Sequence, residues 1–183
     1  GLTARIFYSP SVTGAPTADK GSEGSAINSG SSGFDVTLVA DSSITGMDGL
    51  TIGGGIAEFE RTSASGDASD ATVYATYAIG GLTVGYQWSE ADLGTTTGAQ
   101  QYDNDGYGIT FAINDDLSIG YNHYESEQTN TTNVTSEATS VQIAYSMGGA
   151  SVRLASADGE NMAYQTGTAY DRDVTTLSVA LAF

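Results

Sequence analysis

Val174-Thr175-Thr176-Leu177-Ser178-Val179-Ala180-Leu181-Ala182-Phe183 alternates without a break. Leu177, Val179, Leu181 and Phe183 fall on one side, and Thr176, Ser178, Ala180 and Ala182 on the other. Successive side chains of an extended chain point to opposite faces, so the stretch predicts a strand with one apolar face and one small, weakly polar face. The same division recurs in Leu82, Val84, Tyr86 and Trp88 against Thr83, Gly85, Gln87 and Ser89. It recurs again in Tyr107, Ile109, Phe111 and Ile113 against Gly108, Thr110, Ala112 and Asn114. Several strands share one design.

A longer repeat lies above the alternation. Gly49-Leu50-Thr51-Ile52-Gly53, Gly81-Leu82-Thr83-Val84-Gly85 and Asp116-Leu117-Ser118-Ile119-Gly120 share one form, and Gly149-Ala150-Ser151-Val152-Arg153 follows it loosely. Each copy after the first stands just behind an apolar strand end: Tyr77-Ala78-Ile79, Phe111-Ala112-Ile113 and Tyr145-Ser146-Met147. Such junctions predict tight hairpins. The opposite strand ends are joined by longer acidic stretches, Glu90 to Gln101, Glu125 to Glu137 and Ala157 to Arg172. The reading is ten antiparallel strands at 2–8, 33–41, 49–60, 70–79, 81–89, 104–113, 116–125, 138–147, 149–156 and 173–183, in one domain over 1–183. Gly53-Gly54-Gly55 predicts a bulge in the third strand that shifts the register before Phe59.

Composition narrows the function classes. With 22 acidic residues against 5 Lys and Arg, the formal charge is −17, which repels a phosphate backbone and excludes nucleic acid as a partner. Cysteine is absent, so disulfide scaffolds, thiolate metal sites and thiol nucleophiles go together. No apolar run approaches the ~18 residues of a membrane-spanning helix. A soluble sandwich would carry charge on its non-apolar faces. Here those faces hold chiefly Thr, Ser, Gly, Ala, Asn and Gln, with Arg5, Asp35, Arg153 and Arg172 as exceptions, and the acids gather in the connections. A membrane barrel reverses the sandwich logic, turning its apolar face to lipid and its polar face to a lumen, and strands of about ten residues span a bilayer when tilted. Tyr77, Phe111, Tyr145 and Phe183 near the short turns, and Tyr8, Tyr86, Trp88, Tyr107 and Tyr121 toward the long connections, predict two aromatic girdles.

On the terminal strand ending at Phe183, the Tyr-x-(Ile/Met) strand ends and the Leu-(Thr/Ser)-(Ile/Val)-Gly hairpins, the sequence resembles the general diffusion porins of Gram-negative outer membranes, most closely the alphaproteobacterial type. The resemblance implies an antiparallel transmembrane β-barrel in the bacterial outer membrane. Its channel would pass ions and small hydrophilic solutes, its subunits would assemble as a homotrimer, and lipopolysaccharide would surround it. Water-filled barrels use about 16–18 strands. Ten strands with small inward residues, together with an opening at Gly1-Leu2-Thr3 that matches the position just after a turn, read as the C-terminal part of a sixteen-stranded barrel; a complete ten-stranded barrel is the alternative. The other functional class is a secreted or surface all-β binding or adhesion module that uses the acidic loops.

The candidate site is the pore wall. Arg5 and Arg153 have inward parity within strands, Asp35 carries the opposite sign on its own inward face, and Arg172 stands at the mouth. Porins of the resembling kind set arginines across from acids at a constriction. No enzyme is expected: His123 is the sole histidine, no nucleophile elbow or phosphate loop occurs, and its parity with Leu117, Ile119 and Tyr121 turns it outward. No cofactor or metal is assigned. Asp103 and Asp105 in Asp103-Asn104-Asp105-Gly106 are weak metal candidates because the twelve-position calcium pattern is missing. Loosely held Ca²⁺ at the outer loops is the most that the acidic pairs imply. A net negative mouth predicts cation preference.

Overall fold

The computed structural model describes residues 1–10, 32–60, 66–95 and 97–181. Ten strands follow in chain order: β1 (Leu2–Ser9), β2 (Gly33–Ala40), β3 (Leu50–Phe59), β4 (Ala68–Ile79), β5 (Leu82–Asp92), β6 (Gln101–Ala112), β7 (Leu117–Thr129), β8 (Val134–Met147), β9 (Ala150–Glu160) and β10 (Arg172–Leu181). Each pairs antiparallel with its sequence neighbours in a single ten-stranded sheet of order β1 to β10. Among the described residues β1 pairs only with β2 and β10 only with β9, so the sheet has two free edges. Phe183 lies outside the described residues.

Two connections are two-residue hairpins, Gly80-Gly81 and Gly148-Gly149. Their first glycines hold φ of +57° and +59°, a region that costs any residue with a Cβ, which is why glycine stands there. A single helical turn, α1 (Ser42–Thr45), joins β2 to β3, with the Asp41 carboxylate accepting the Ser43 amide at 2.8 Å. The long-connection side differs from expectation. β7 and β8 run on to Thr129 and Val134, leaving only a short turn where a long loop was expected between Glu125 and Glu137.

The register carries one face unbroken across the sheet. Leu181 pairs with Ala150, Val179 with Val152 and Leu177 with Leu154; Leu154 pairs in turn with Ile143, and Ile143 with Ile119. Phe111, Leu82 and Ile79 continue the line. Among the described residues there is no buried hydrophobic side chain, and this face is bare, with Ile6 79%, Leu177 66%, Val179 59% and Leu181 59% exposed. Burial of such a side chain is worth about 1.5–3 kcal/mol, so water is the wrong solvent for a whole face of them. Tyr8, Tyr77, Tyr86, Trp88, Tyr107, Phe111, Tyr121 and Tyr145 all share this face by register.

The predicted bulge does not exist. β3 pairs residue for residue with β2 and with β4 through Gly53, Gly54 and Gly55. The glycines serve packing instead: a Cβ on Gly53 would lie 2.4 Å from the Tyr74 ring, which lies over the strand at that point. Phe59 consequently falls on the polar face, opposite Gly33 and Ala68.

The acids also sit differently from expectation. Glu90 and Asp92 on β5, Asp103 and Asp105 on β6, Glu125 and Glu127 on β7, Glu137 on β8, Asp158 and Glu160 on β9 and Asp173 on β10 are strand residues, not loop residues. By register every one of them shares the face of the apolar side chains. β5 to β10 run beyond the apolar band, and there their outward face turns from aliphatic and aromatic to carboxylate.

Candidate functional site

The opposite face holds the four singled-out charges. Arg5 pairs with Thr37, and Asp35 with Phe7 and Ala57, which puts both on the polar face. Arg153 sits there between Ala144 and Ser178, and Arg172 faces Gly159. They do not converge. Arg5 and Arg153 are each the fourth residue from the short-turn end of their strands, whereas Asp35 is the third residue from the long-connection end of β2. Among the described residues neither arginine forms an ion pair; the close pairs are Gly1 with Asp41 and His123 with Glu125, the second charged on both sides only with a protonated imidazole. Arg172 folds back, donating from Nη1 to the carbonyls of Ala169 at 2.6 Å and Asp171 at 2.8 Å, and so ties down the segment leading into β10. Asp70, paired with Ala57 and Ala91, is a further acid on this face that the sequence reading missed.

Toward the long connections the polar face carries a cluster of amides and phenols, also missed. The Asn104 side-chain oxygen accepts from the Tyr124 hydroxyl at 2.8 Å and from Ser126 Oγ at 2.5 Å, while its Nδ2 donates to Ser89 at 3.3 Å. Ser126, 2% exposed, also meets the Tyr164 hydroxyl at 2.7 Å. The Tyr164 ring packs against Tyr102, centroids 5.2 Å apart, and Gln128 Nε2 donates to the Tyr102 hydroxyl at 2.9 Å. Tyr164 belongs to no strand. It closes a 3₁₀ turn, Met162–Tyr164, in the connection between β9 and β10, so that connection is tucked over the polar face of β6 to β8. Asn161, Ala163 and Tyr164 all hold positive φ, 50°, 60° and 55°, a concentration of unfavourable backbone that the surrounding contacts must sustain. Burial pushes the Tyr164 phenol above its ordinary range, with the Ser126 hydrogen bond opposing. The sequence signal was the parity of Tyr102, Asn104, Tyr124 and Ser126, which puts two phenols on the weakly polar side.

Asp103 and Asp105 lie inside β6 with Asn104 between them on the other face, so this stretch has no loop that could wrap an ion. Asp103 accepts from Gln101 Nε2 at 3.2 and 3.1 Å, and Asp105 accepts from the Tyr86 hydroxyl. His123 is outward, opposite Tyr107 and Thr139. Among the described residues, the side chains that could jointly hold a metal are His123, Glu125 and Glu137.

A sheet with one bare apolar face, one polar face and strands of 8 to 14 residues has the build of a membrane barrel wall. The sequence profile of the Gram-negative porins matches residues 2–183. The chain belongs to the Gram-negative porin family. It is an outer-membrane protein of Gram-negative bacteria. No curated protein matches it by sequence. Among solved structures it is similar to OmpF of Salmonella typhi, in complex with daunomycin, with a TM-score of 0.69 at 13% identity over 98% of this chain and 56% of that one. It is also similar to OmpT, an outer membrane protein of Vibrio cholerae folded in vitro, with a TM-score of 0.52 at 16% identity over 81% of this chain and 52% of that one. At these identities the likeness shows the fold, and the porin chain spans about half the length of each. The reading as a secreted adhesion module is not favoured, because it offers no cover for the apolar face.

Proposed function

We propose that this sheet is one wall of a water-filled channel through which ions and small hydrophilic solutes cross the outer membrane by passive diffusion. The observation that carries the reading is the sorting of side chains: an exposed aliphatic and aromatic face backs onto a face of Thr, Ser, Gly, Ala and amides. In hydrocarbon, each unpaired backbone group of a free edge costs several kcal/mol. Further strands beyond β1 and β10, in a barrel of about sixteen, remove that cost, and the share of OmpF that the chain covers supports this. Arg5, Asp35 and Arg153 then line the lumen as charges set at different depths, and Arg172 steadies the connection at its mouth. The barrel is a homotrimer embedded among lipopolysaccharide, needs no cofactor and catalyses no reaction.

Planar-bilayer recording on the full-length protein, refolded in detergent, tests this. Discrete conductance steps that grow with salt are expected. Protein that stays in solution without detergent and gives no steps overturns the channel reading. The intact mass of the native protein tests the larger barrel, since a value equal to the 18.7 kDa of this chain removes it.

A further inference from the structure

We propose that His123, Glu125 and Glu137 form a site for one zinc-class divalent cation on the outward face of β7 and β8. His123 Nε2 lies 2.9 Å from Glu125 Oε1, and the ligand atoms of all three side chains lie within 4.8 Å of one another. Donors around a tetrahedral ion with bonds of about 2.0–2.2 Å stand roughly 3.4 Å apart, so rotamer adjustment of the two glutamates gathers the set. Glu125, with 47% of its side chain exposed, has room to adjust.

The imidazole is already oriented. His123 is held on its other nitrogen, where Nδ1 meets Thr139 Oγ1 at 3.0 Å, and its ring packs on Tyr107 with centroids 5.0 Å apart. With the proton on Nδ1 donated to Thr139, the Nε2 lone pair points at the carboxylates, the arrangement in which a second partner fixes a metal-binding histidine. The surroundings call for positive charge. Asp105, Glu125, Glu137 and Glu160 are direct register partners on four consecutive strands. Like charges directly opposite destabilise a sheet, and the described arginines are all on the other face. One imidazole with two carboxylates suits Zn²⁺ and its first-row neighbours; Ca²⁺ and Mg²⁺ take shells of oxygen. Three protein ligands leave a coordination position open to water.

The test is calorimetric titration of tag-free, full-length protein with ZnCl₂ in chelator-stripped detergent. One Zn²⁺ per chain is expected, undisturbed by millimolar Ca²⁺ or Mg²⁺. His123→Ala and Glu137→Gln should each weaken binding by at least about tenfold. Glu127→Gln, an acid farther along the same face, should leave it within about twofold. If His123→Ala fails to fold, Glu137→Gln decides together with Co²⁺ substitution, whose visible band reports four-coordinate nitrogen and oxygen ligation. Binding that survives these substitutions, stoichiometry above one without saturation, or complete displacement by millimolar Ca²⁺ overturns the proposal.

Discussion

The two halves of the strands β5 to β10 live in different solvents. In the short-turn half the outward residues are aliphatic and bare, as with Leu177, Val179 and Leu181 on β10. In the half beyond, the same outward parity on β5 to β9 carries Glu90, Asp103, Asp105, Glu125, Glu127, Glu137 and Glu160. The backbone ladder does not change between the halves. What changes is the medium, hydrocarbon for the first and a wet, ion-rich interface for the second. Strand length is set by hydrogen-bond pairing, and composition by depth.

The largest test of that division is a charge placed on each half. Leu177→Arg should destabilise the folded barrel by about 2–4 kcal/mol, the range for a basic residue deep on a lipid-facing surface. The adjacent Ser178→Arg points to the other face and should cost far less. On the wet half, Glu127→Arg should leave stability nearly unchanged. Urea unfolding in lipid vesicles, followed by tryptophan fluorescence from Trp88, reads all three. Equal losses for Leu177→Arg and Glu127→Arg would erase the boundary.

The same division explains what the sequence made legible. Where outward residues were apolar, period-two alternation located β10, the β4–β5 hairpin and the β8–β9 hairpin to within a residue or two. Where they became acidic, both faces were polar and the alternation lost its contrast. The expected strands therefore stopped near Ser89, Glu125 and Ser156, although pairing carries them to Asp92, Thr129 and Glu160. The acids were placed in loops for that reason alone. Parity did set Arg5, Asp35 and Arg153 on one face, but a strand pattern contains no depth, so their separation along the wall was hidden. The tucking of Tyr164 onto Ser126 depends on a connection with no period at all.

A second test concerns that tucked connection. Ser126→Ala removes a hydroxyl that both Asn104 and Tyr164 use in a nearly closed environment, so a loss of about 1–3 kcal/mol is expected. Tyr164→Ala should free the connection from the polar face without touching the lipid-facing half. Unfolding midpoints should then shift less than with Leu177→Arg, while single-channel conductance rises and its noise changes. Conductance identical to that of the unaltered protein would mean that this connection does not narrow the path.

The smallest effect concerns ion preference, and here the structure changes the argument. A net charge of −17 invites the expectation of a cation-preferring mouth, but among the described strand residues only Asp35 and Asp70 put a carboxylate on the inner face, and the acids of β5 to β10 face outward, away from the lumen. Exposed charges are screened over a Debye length of ~10 Å at 0.1 M salt and ~3 Å at 1 M. An outward carboxylate acting through the barrel wall therefore has little hold on a permeating ion, while an arginine on the inner face acts at short range. Glu127→Gln should leave the zero-current potential across a salt gradient unmoved. Arg153→Ala, which removes a positive charge on the inner face, should move it toward cations by a small amount that shrinks as salt rises. A larger shift from Glu127→Gln than from Arg153→Ala would show that the outward acids, despite their parity, set the field in the channel.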